Sequence, residues 1–247
     1  MVSDPDNKIL LFEIRAEARR QVTFAAYQYE MKKFLWQDVA FEESWWISLL
    51  AVSDSIVLLQ KYDNAENPDI RSVWAFNLET QQIQWKREKF SLHQLRDHLV
   101  SGYNLSEKDS ALVELDLKSG EVIEKPGDTE LFDEPGKIPD LYKPFQYHEG
   151  TPYLETVRKF LNDHCNIHAV GAAEYLEYNK MIIISYNIQQ ENGLANFLLV
   201  IDEKAEILMN EKLGEQLKGI GVDTFFVLSG CLFFVRNKTE LLSYQII

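Results

Sequence analysis

A short phrase of alternating apolar and polar residues recurs along the chain at a near-constant interval. Its copies are Ala26-Tyr27-Gln28-Tyr29, Ala75-Phe76-Asn77-Leu78, Glu114-Leu115-Asp116-Leu117, Ser243-Tyr244-Gln245-Ile246 and, more loosely, Val200-Ile201-Asp202. The matching apolar residues stand at positions 27, 76, 115, 201 and 244, in steps of 49, 39, 86 and 43 residues. A repeat of about 43 residues built from strands is typical of a β-propeller, where each repeat forms one four-stranded blade.

The second copy shows the internal pattern of one repeat. Apolar or alternating segments at 45–50, 56–62, 72–78 and 83–86 predict four short strands, with polar turns between them. In the third copy, segments 112–117 and 121–124 flank a turn in which Gly120 can take a positive φ. A fourth copy runs from Ala169 to Met209. The pattern therefore predicts an all-β fold made of repeated antiparallel sheets.

The first and last copies are incomplete in complementary ways. The first has strands at 8–15, 21–29 and 34–37 and lacks an innermost strand, whereas the last has 222–228, 231–236 and 240–246 and lacks an outermost one. A ring can close by sharing strands between such end blades, which removes exposed sheet edges. We therefore expect the two termini to meet, and the sequence leaves open which strand crosses.

The interval from about 126 to 165 interrupts the repeat. Its first half is rich in turn residues, and its second half places apolar residues at 153, 154, 157, 160 and 161, which predicts a helix around 152–163. Thr151 and Pro152 suit the N-cap and the first helical position. Residues 1–247 are thus predicted to form a single small β-propeller domain with an irregular insertion. Five visible copies favour five blades, and a degenerate sixth blade in the insertion is the alternative.

Composition and charge narrow the class of protein further. Of 247 residues, 46% are hydrophobic, which is enough for a substantial core, and the net charge is −14. Such acidity argues against nucleic acid and against an anionic membrane surface as partners. The amino terminus has no signal-peptide pattern, and no apolar stretch is long enough to span a membrane. Two cysteines without CxxC spacing imply neither a disulfide framework nor zinc, so we expect a cytoplasmic protein without a cofactor.

Two stretches resemble known families. Phe76-Asn77-Leu78-Glu79-Thr80-Gln81-Gln82-Ile83-Gln84-Trp85 is similar to the repeat of quinoprotein-like, tryptophan-docking propellers, and residues 115–122 match it more weakly. The resemblance implies a tryptophan that packs between blades, and it implies no quinone or calcium site here. Through Ser44-Trp45-Trp46 and the segment 219–226, the chain also resembles a bacterial family of propeller-like domains of unknown function. That resemblance implies a fold and no activity.

Two clusters carry the candidate ligand-binding residues. Glu42 and Glu43 precede Trp45 and Trp46, and aromatic faces beside carboxylates suit sugars or cations. Tyr62 and Asp63 begin a polar loop in the same repeat. The second cluster is Tyr147-His148-Glu149, ahead of the predicted helix, where a histidine beside a carboxylate could serve acid–base chemistry. In each cluster the alternative is an ordinary structural or solvated role.

Other groups give weaker signals. His164 and His168 are four residues apart, the spacing of a metal pair on a helix, but Asn166 between them favours the end of a helix and no third ligand is nearby. We predict no metal site and no catalytic residue. The leading expectation is a non-catalytic binding or protein-interaction module, whose partner is a protein or a small polar ligand. The alternatives are an enzyme acting on a carbohydrate or small polar metabolite at the central channel, and a structural partner that adds a strand at a blade edge.

Overall fold

A computed structural model describes residues 1–4, 6–64, 66–96, 98–105, 112–123 and 141–246 of the chain. The predicted turn-rich segment 126–140 lies outside these residues. The chain divides into two compact units, Met1–Ile138 and Pro139–Ile247. Within the described residues the architecture is all-β with one α-helix, as the repeat pattern predicts.

Three antiparallel sheets make up the described part of the first unit. Sheet A consists of β1 (Val2–Asp4), β2 (Ile9–Ala16), β3 (Gln21–Gln28) and β4 (Lys33–Val39). Sheet B consists of β5 (Ile47–Ser53), β6 (Ile56–Tyr62), β7 (Arg71–Asn77) and β8 (Gln82–Arg87). Sheet C consists of β9 (Phe90–Arg96), β10 (Leu99–Asn104) and β11 (Leu112–Asp116). Each sheet is a meander in which strands that follow one another in sequence pair side by side.

Two further antiparallel sheets and the helix make up the second unit. Its first two strands are β12 (Leu141–Tyr142) and β13 (Phe145–Tyr147), followed by the helix α1 (Pro152–Cys165). Sheet D runs in the order β13, β14 (Val170–Tyr178), β15 (Met181–Gln190), β16 (Gly193–Asp202) and β17 (Ile207–Leu217). Sheet E runs in the order β12, β18 (Phe225–Leu228), β19 (Cys231–Arg236) and β20 (Glu240–Gln245).

The central strands of sheet B, β6 and β7, are buried on both faces, which explains their apolar sequences. One side packs on sheet A through a cluster that contains Val57, Leu59, Trp74 and Phe76. The other side packs on sheet C through residues one position away, Ile56, Leu58, Val73 and Ala75. Because side chains alternate along a strand, a strand between two sheets must be apolar at every position.

Sheet D is likewise covered on both sides. Its face toward sheet E carries Ile183, Leu198 and Val200, which pack with Val227 and Leu232. On the opposite face, the helix buries an apolar stripe against the sheet, made of Leu154, Val157 and Leu161. The second unit therefore holds two apolar layers, one between the sheets and one under the helix.

The predicted helix is confirmed: it begins at Pro152 as expected and ends at Cys165, two residues beyond the predicted 163. The Thr151 hydroxyl accepts a hydrogen bond from the Leu154 N–H, and Pro152 occupies the first turn, so the amino end is capped as the sequence predicts. Asn166 ends the helix in the left-handed conformation with φ 55°. Tyr153 departs from the prediction: it belongs to the apolar stripe in sequence but is 65% exposed.

The polar residue of the recurring phrase holds a turn in successive sheets. The Asn77 side-chain oxygen accepts hydrogen bonds from the backbone N–H groups of Glu79 and Thr80, at 2.9 and 2.8 Å. Asp116 and Asp202 do the same in their own sheets, each for two N–H groups of the following turn. The phrase recurs because Asn and Asp stabilise such turns while the flanking apolar residues enter the core.

Tryptophans link neighbouring sheets of the first unit. The Trp36 indole N–H of sheet A donates to the Leu78 carbonyl of sheet B at 3.2 Å, and Trp85 of sheet B donates to the Leu117 carbonyl of sheet C at 2.8 Å. Each tryptophan stands eight positions after the polar residue of its own repeat, at 28 and 77. The inter-sheet tryptophan expected from Trp85 is therefore present, and Trp36 is a second example.

Several strands differ from the prediction. The first sheet does not lack an innermost strand, because Val2–Asp4 pairs with β2. The tryptophans at 45 and 46 precede β5 instead of opening it. Of the predicted strand 121–124, position 124 lies outside the described residues, and the described part contains a bridge between Val122 and Leu115. Four further strands are not predicted. The repeat pattern does not reveal β9 and β10, and β12 and β13 are too short to show a hydrophobic period.

Candidate functional site

Glu43, Trp45 and Trp46 lie at one end of sheet B, where the chain enters β5. A Glu43 carboxylate oxygen accepts the backbone N–H groups of both tryptophans at 2.9 Å. The Trp46 carbonyl in turn accepts the Tyr62 N–H at 2.8 Å, so the loop that starts at Tyr62 is at the same end of the sheet. Five of the predicted residues are thus brought together here: Glu43, Trp45, Trp46, Tyr62 and Asp63.

Polar groups in this cluster are largely committed to each other. Asp63 accepts a hydrogen bond from the Ser72 hydroxyl at 2.5 Å and forms an ion pair with Lys61 at 2.9 Å. This ion pair is the main cause of a raised pKa for the Lys61 ammonium. Lys86 pairs with Glu42, and its hydrogen bond lowers the pKa of that carboxyl group. These carboxylates stabilise the end of the sheet.

Cations of the chain itself lie over two tryptophan rings in this unit. The Arg15 guanidinium lies 5.1 Å from the centre of the Trp45 ring, and the Lys86 ammonium lies 4.0 Å from that of Trp74. Arg15 also donates to the Trp45 and Ile47 carbonyls, which ties β2 to the start of β5. Trp46, at 45% exposure, remains the accessible ring of the cluster. The cation–aromatic chemistry expected here is therefore used within the fold.

The second predicted cluster lies in the other unit, where Tyr147 forms the centre of a stack of three tyrosines. Its ring centre lies 5.4 Å from that of Tyr153 and 5.6 Å from that of Tyr175, with interplanar angles of 26° and 24°. Tyr147 belongs to β13, Tyr175 to β14 and Tyr153 to the first turn of α1. The stack therefore joins the edge of sheet D to the amino end of the helix.

Phe145 adds an exposed aromatic ring to the face of the sheet that carries this stack. It is directly opposite Tyr175 in the pairing of β13 with β14, and it alternates with Tyr147 on the same face. Phe145 is 70% exposed and Tyr153 65%, whereas Tyr147 and Tyr175 are half-buried. We call these four residues the tyrosine surface: Phe145, Tyr147, Tyr153 and Tyr175.

Carboxylates border the tyrosine surface. The Tyr175 hydroxyl donates to the exposed Glu177 carboxylate at 2.5 Å. Burial, followed by this hydrogen bond, raises the pKa of the Tyr175 phenol above its ordinary value, so the ring stays neutral at physiological pH. Glu149 and Glu155 lie next to the helix start and share one cation, Arg158, at 3.0 and 3.2 Å.

The histidine and carboxylate of the second cluster do not work as a pair. The His148 backbone carbonyl accepts hydrogen bonds from the Thr151 N–H and hydroxyl, and its imidazole is exposed. The Glu149 carboxylate is directed to Arg158 instead of the imidazole. His148 and Glu149 therefore build the entry to the helix. In the described parts of the chain, no three His, Cys, Asp or Glu residues cluster as metal ligands would.

A buried carboxylate supports the inner part of the second unit. Glu174 is 4% exposed, and its oxygens accept the Asp223 N–H at 2.5 Å, the Thr224 N–H at 3.0 Å and the Thr224 hydroxyl at 2.5 Å. Next to it, Gly171 has φ 68°, and a Cβ there would lie 2.1 Å from the Ile220 side chain. The segment 219–224 therefore owes its position to Glu174 and Gly171.

Two shallow cavities lined by polar residues lie on the described surface. One of about 530 Å³ lies at the tip of the β15–β16 hairpin and is bordered by Gln189, Glu191 and Glu215 among others. The other, of about 250 Å³, lies between sheets B and C, where Asp54 pairs with Lys118 at 2.6 Å. Neither is lined by an aromatic residue. No helix in the described part of the chain is long and apolar enough to cross a bilayer.

Sequence reasoning missed three members of the tyrosine surface. Phe145 and Tyr175 belong to strands that pair only in the fold, and Tyr153 counts as part of the buried stripe when the helix is read alone. The available signal is the alternation Phe145-Gln146-Tyr147 directly after Pro144, which is typical of a short edge strand. No sequence pattern points to Arg15 or Arg158. Arg15 contacts Trp45 and Ile47, which are distant in sequence, and the contact of Arg158 with Glu149 depends on the turn before the helix.

Comparison with known proteins places part of the chain in context. Residues 3–85 match a family described as a domain of unknown function, DUF4905, which confirms the resemblance to such a family over that segment. None of the curated proteins matches the chain.

Three solved structures match the chain, each with 10% sequence identity. The first is the β-propeller domain of the Trilobed protease from Pyrococcus furiosus, with a TM-score of 0.35 over 99% of this chain and 66% of that one. The second is an acylaminoacyl peptidase from Pyrococcus horikoshii, with a TM-score of 0.31 over 98% of this chain and 38% of that one. The third is a protein of unknown function from Bacteroides caccae, with a TM-score of 0.31 over 96% of this chain and 89% of that one. The chain thus spans less than two thirds of the length of the first two.

Proposed function

We propose that this chain is a non-catalytic binding module and that the tyrosine surface is where its partner, a protein or a small polar ligand, binds. One observation carries the proposal: Phe145 and Tyr153 are 70% and 65% exposed, yet Tyr153 is held in an ordered stack. Isolated exposed apolar residues are common, whereas a contiguous exposed aromatic surface marks an interaction site. Aromatic rings supply contact area at a low cost in side-chain entropy.

The arrangement of polar groups supports a binding role over a catalytic one. At the end of sheet B, Glu42 and Asp63 are paired with lysines, and in the second unit Glu149 is paired with Arg158. A general acid or base must be free to exchange a proton with substrate. We place the module in the cytoplasm as part of the same proposal, and a chain with only two cysteines and no CxxC spacing suits a reducing compartment.

A five-bladed ring is the fold that we propose for the whole chain. Two features support it: the described residues form five sheets, and tryptophans join sheet A to B and sheet B to C by the same hydrogen bond. A compact chain of 247 residues has a radius of gyration of about 18 Å. Small-angle X-ray scattering should give that value for a closed ring, and a clearly larger one would argue for two tethered units.

Thermal shift against a panel of sugars, nucleotides, cationic peptides and divalent metals tests the binding role. A ligand at 100 times its Kd adds about 2.7 kcal/mol, which raises the Tm of a protein of this size by about 5–10 °C. We expect a hit whose shift disappears in Tyr153→Ala and persists in Trp46→Ala, which removes the exposed ring of the other cluster. A sugar hit with the opposite dependence would contradict the proposal and favour the alternative, an enzyme acting on a carbohydrate.

A further inference from the structure

We propose that the tyrosine surface binds a cationic segment of a partner protein, an extended peptide that bears arginine or lysine. This inference rests on the proposed function, since it names the class of ligand for the same site. The interaction is a cation held against the aromatic faces and drawn to the bordering carboxylates.

Charge around the tyrosine surface is complementary to such a ligand. Glu149 and Glu155 share the single cation Arg158. Glu177 accepts its hydrogen bond from the neutral Tyr175 hydroxyl and pairs with no cation among the described residues. Lys143, two positions before Phe145, is paired with Asp223 at 3.6 Å, so the border keeps a surplus of negative charge within a chain whose net charge is −14. A cationic segment would be steered to this surface and an acidic one repelled from it.

The first unit contains completed examples of this arrangement. The Trp45 ring carries the Arg15 guanidinium, which is also bound to the Glu13 carboxylate at 2.6 Å. The Trp74 ring carries the Lys86 ammonium, which is also bound to Glu42. In each case a cation lies between an aromatic face and a carboxylate, where both attract it.

The tyrosine surface offers the same ring and carboxylate without the cation. Within the described ranges, no lysine or arginine lies over the rings of Tyr147, Tyr153 or Tyr175, although Arg158 is close enough to pair with Glu155 of the same helix. Tyr153 exposes one face of its ring because its other face stacks on Tyr147. A guanidinium or ammonium from a partner would complete the arrangement.

The strand beneath the rings favours a peptide over a free ammonium ion. β13 pairs with β14, and among the described strands it has no neighbour on its other side, so it forms one edge of sheet D. An extended segment can hydrogen-bond to such an edge while its alternate side chains reach the rings. Phe145 and Tyr147 are two positions apart on this edge, which is the spacing of side chains on one face of an added strand.

Isothermal titration calorimetry with defined peptides tests the inference. The probe is acetyl-Gly-Arg-Gly-Arg-Gly-amide, and its control is the same peptide with citrulline in place of each arginine, which keeps the shape and removes the charge. We expect the arginine peptide to bind the full chain at least fivefold more tightly than the citrulline peptide. Tyr153→Ala should weaken the arginine peptide by about fivefold, while Tyr153→Phe, which keeps the aromatic face, should change its Kd less than twofold.

The variants also separate this mechanism from general attraction to an acidic protein. Tyr153→Ala leaves the net charge unchanged, so equal affinity of wild type and Tyr153→Ala for the arginine peptide would overturn the inference. The inference would also be overturned if the wild-type chain bound the citrulline peptide as tightly as the arginine peptide, or if it bound neither peptide measurably. If a neutral ligand from the thermal-shift panel still depends on Tyr153, the binding role stands and only the cationic ligand is wrong. If the binding of no ligand or peptide depends on Tyr153, both the proposed binding role of the tyrosine surface and its cationic ligand are wrong.

Discussion

At the scale of single residues, the fold uses charged side chains mainly to hold loops at the ends of its strands. Glu43 accepts two backbone N–H groups before β5, and Glu174 accepts two N–H groups and a hydroxyl from Asp223 and Thr224. The sequence shows that carboxylates stand beside aromatic residues but not which of them are already bonded. Whether a carboxylate is already bonded depends on residues far along the chain: Asp223 and Thr224 are 49 and 50 positions from Glu174, and no local sequence pattern reveals such a contact.

Glu174→Gln tests the buried carboxylate. The amide keeps one acceptor oxygen and turns an N–H₂ donor toward groups that are themselves donors, so we expect the free energy of unfolding to fall by about 2 kcal/mol. The matched control is Glu203→Gln, whose carboxylate is exposed and 3.5 Å from Lys180, and it should change stability by less than about 0.5 kcal/mol. Urea unfolding followed by circular dichroism measures both; equal effects would show that Glu174 does not support the 219–224 segment.

At the scale of elements, hydrophobic periodicity predicts the helix and most of the longer strands, although it does not reveal β9 and β10, because buried faces impose a regular pattern of apolar residues on an element. Segments 56–62 and 231–236 match β6 and β19 in both bounds, and the helix follows from its apolar stripe and caps. The periodicity fails for β12 and β13, which have two and three residues. Such strands are defined by the neighbour that they pair with, so the tyrosine surface on β13 could not be predicted before the fold was known.

The tryptophan contact between sheets B and C depends on a glycine in the neighbouring turn. Gly120 has φ 71°, and a Cβ there would lie 2.6 Å from Cγ of Trp85, which donates its indole N–H to Leu117. Gly150 has a similar φ of 82°, with nothing within 4 Å of a Cβ. Comparing substitutions at Gly120 and Gly150 therefore separates the free-energy cost of the left-handed backbone, which both share, from the cost of the contact with the Trp85 ring, which only Gly120 has.

We expect Gly120→Ala to be more destabilising than Gly150→Ala. Both substitutions place a side chain in the left-handed region, at a cost of about 1–2 kcal/mol, and Gly120→Ala adds a clash with Trp85 of about 1–3 kcal/mol. Circular dichroism is the suitable probe of unfolding, because all five tryptophans lie in the first unit and fluorescence would not follow the second. Equal losses for both variants would contradict the role of the tryptophan contact.

At the scale of the whole molecule, the two candidate clusters divide between the two units and differ in what they leave accessible. In the first unit, cations of the chain cover the faces of Trp45 and Trp74, and the carboxylates are paired. In the second, Phe145 and Tyr153 expose most of their surface. The repeat predicts an all-β chain of several sheets, but the choice between the clusters depends on burial, which only the packed structure provides.

The measurement that tests the central claim most directly is hydroxyl-radical footprinting of the full chain, with and without the arginine peptide, read by mass spectrometry. We predict rapid modification of Phe145 and Tyr153 in the free protein, slower modification of Tyr147, and protection of Phe145 and Tyr153 when the peptide is bound, while Trp46 is modified equally in both states. If Phe145 and Tyr153 are as protected as buried Phe233 in the free protein, the tyrosine surface is not available and the account is contradicted.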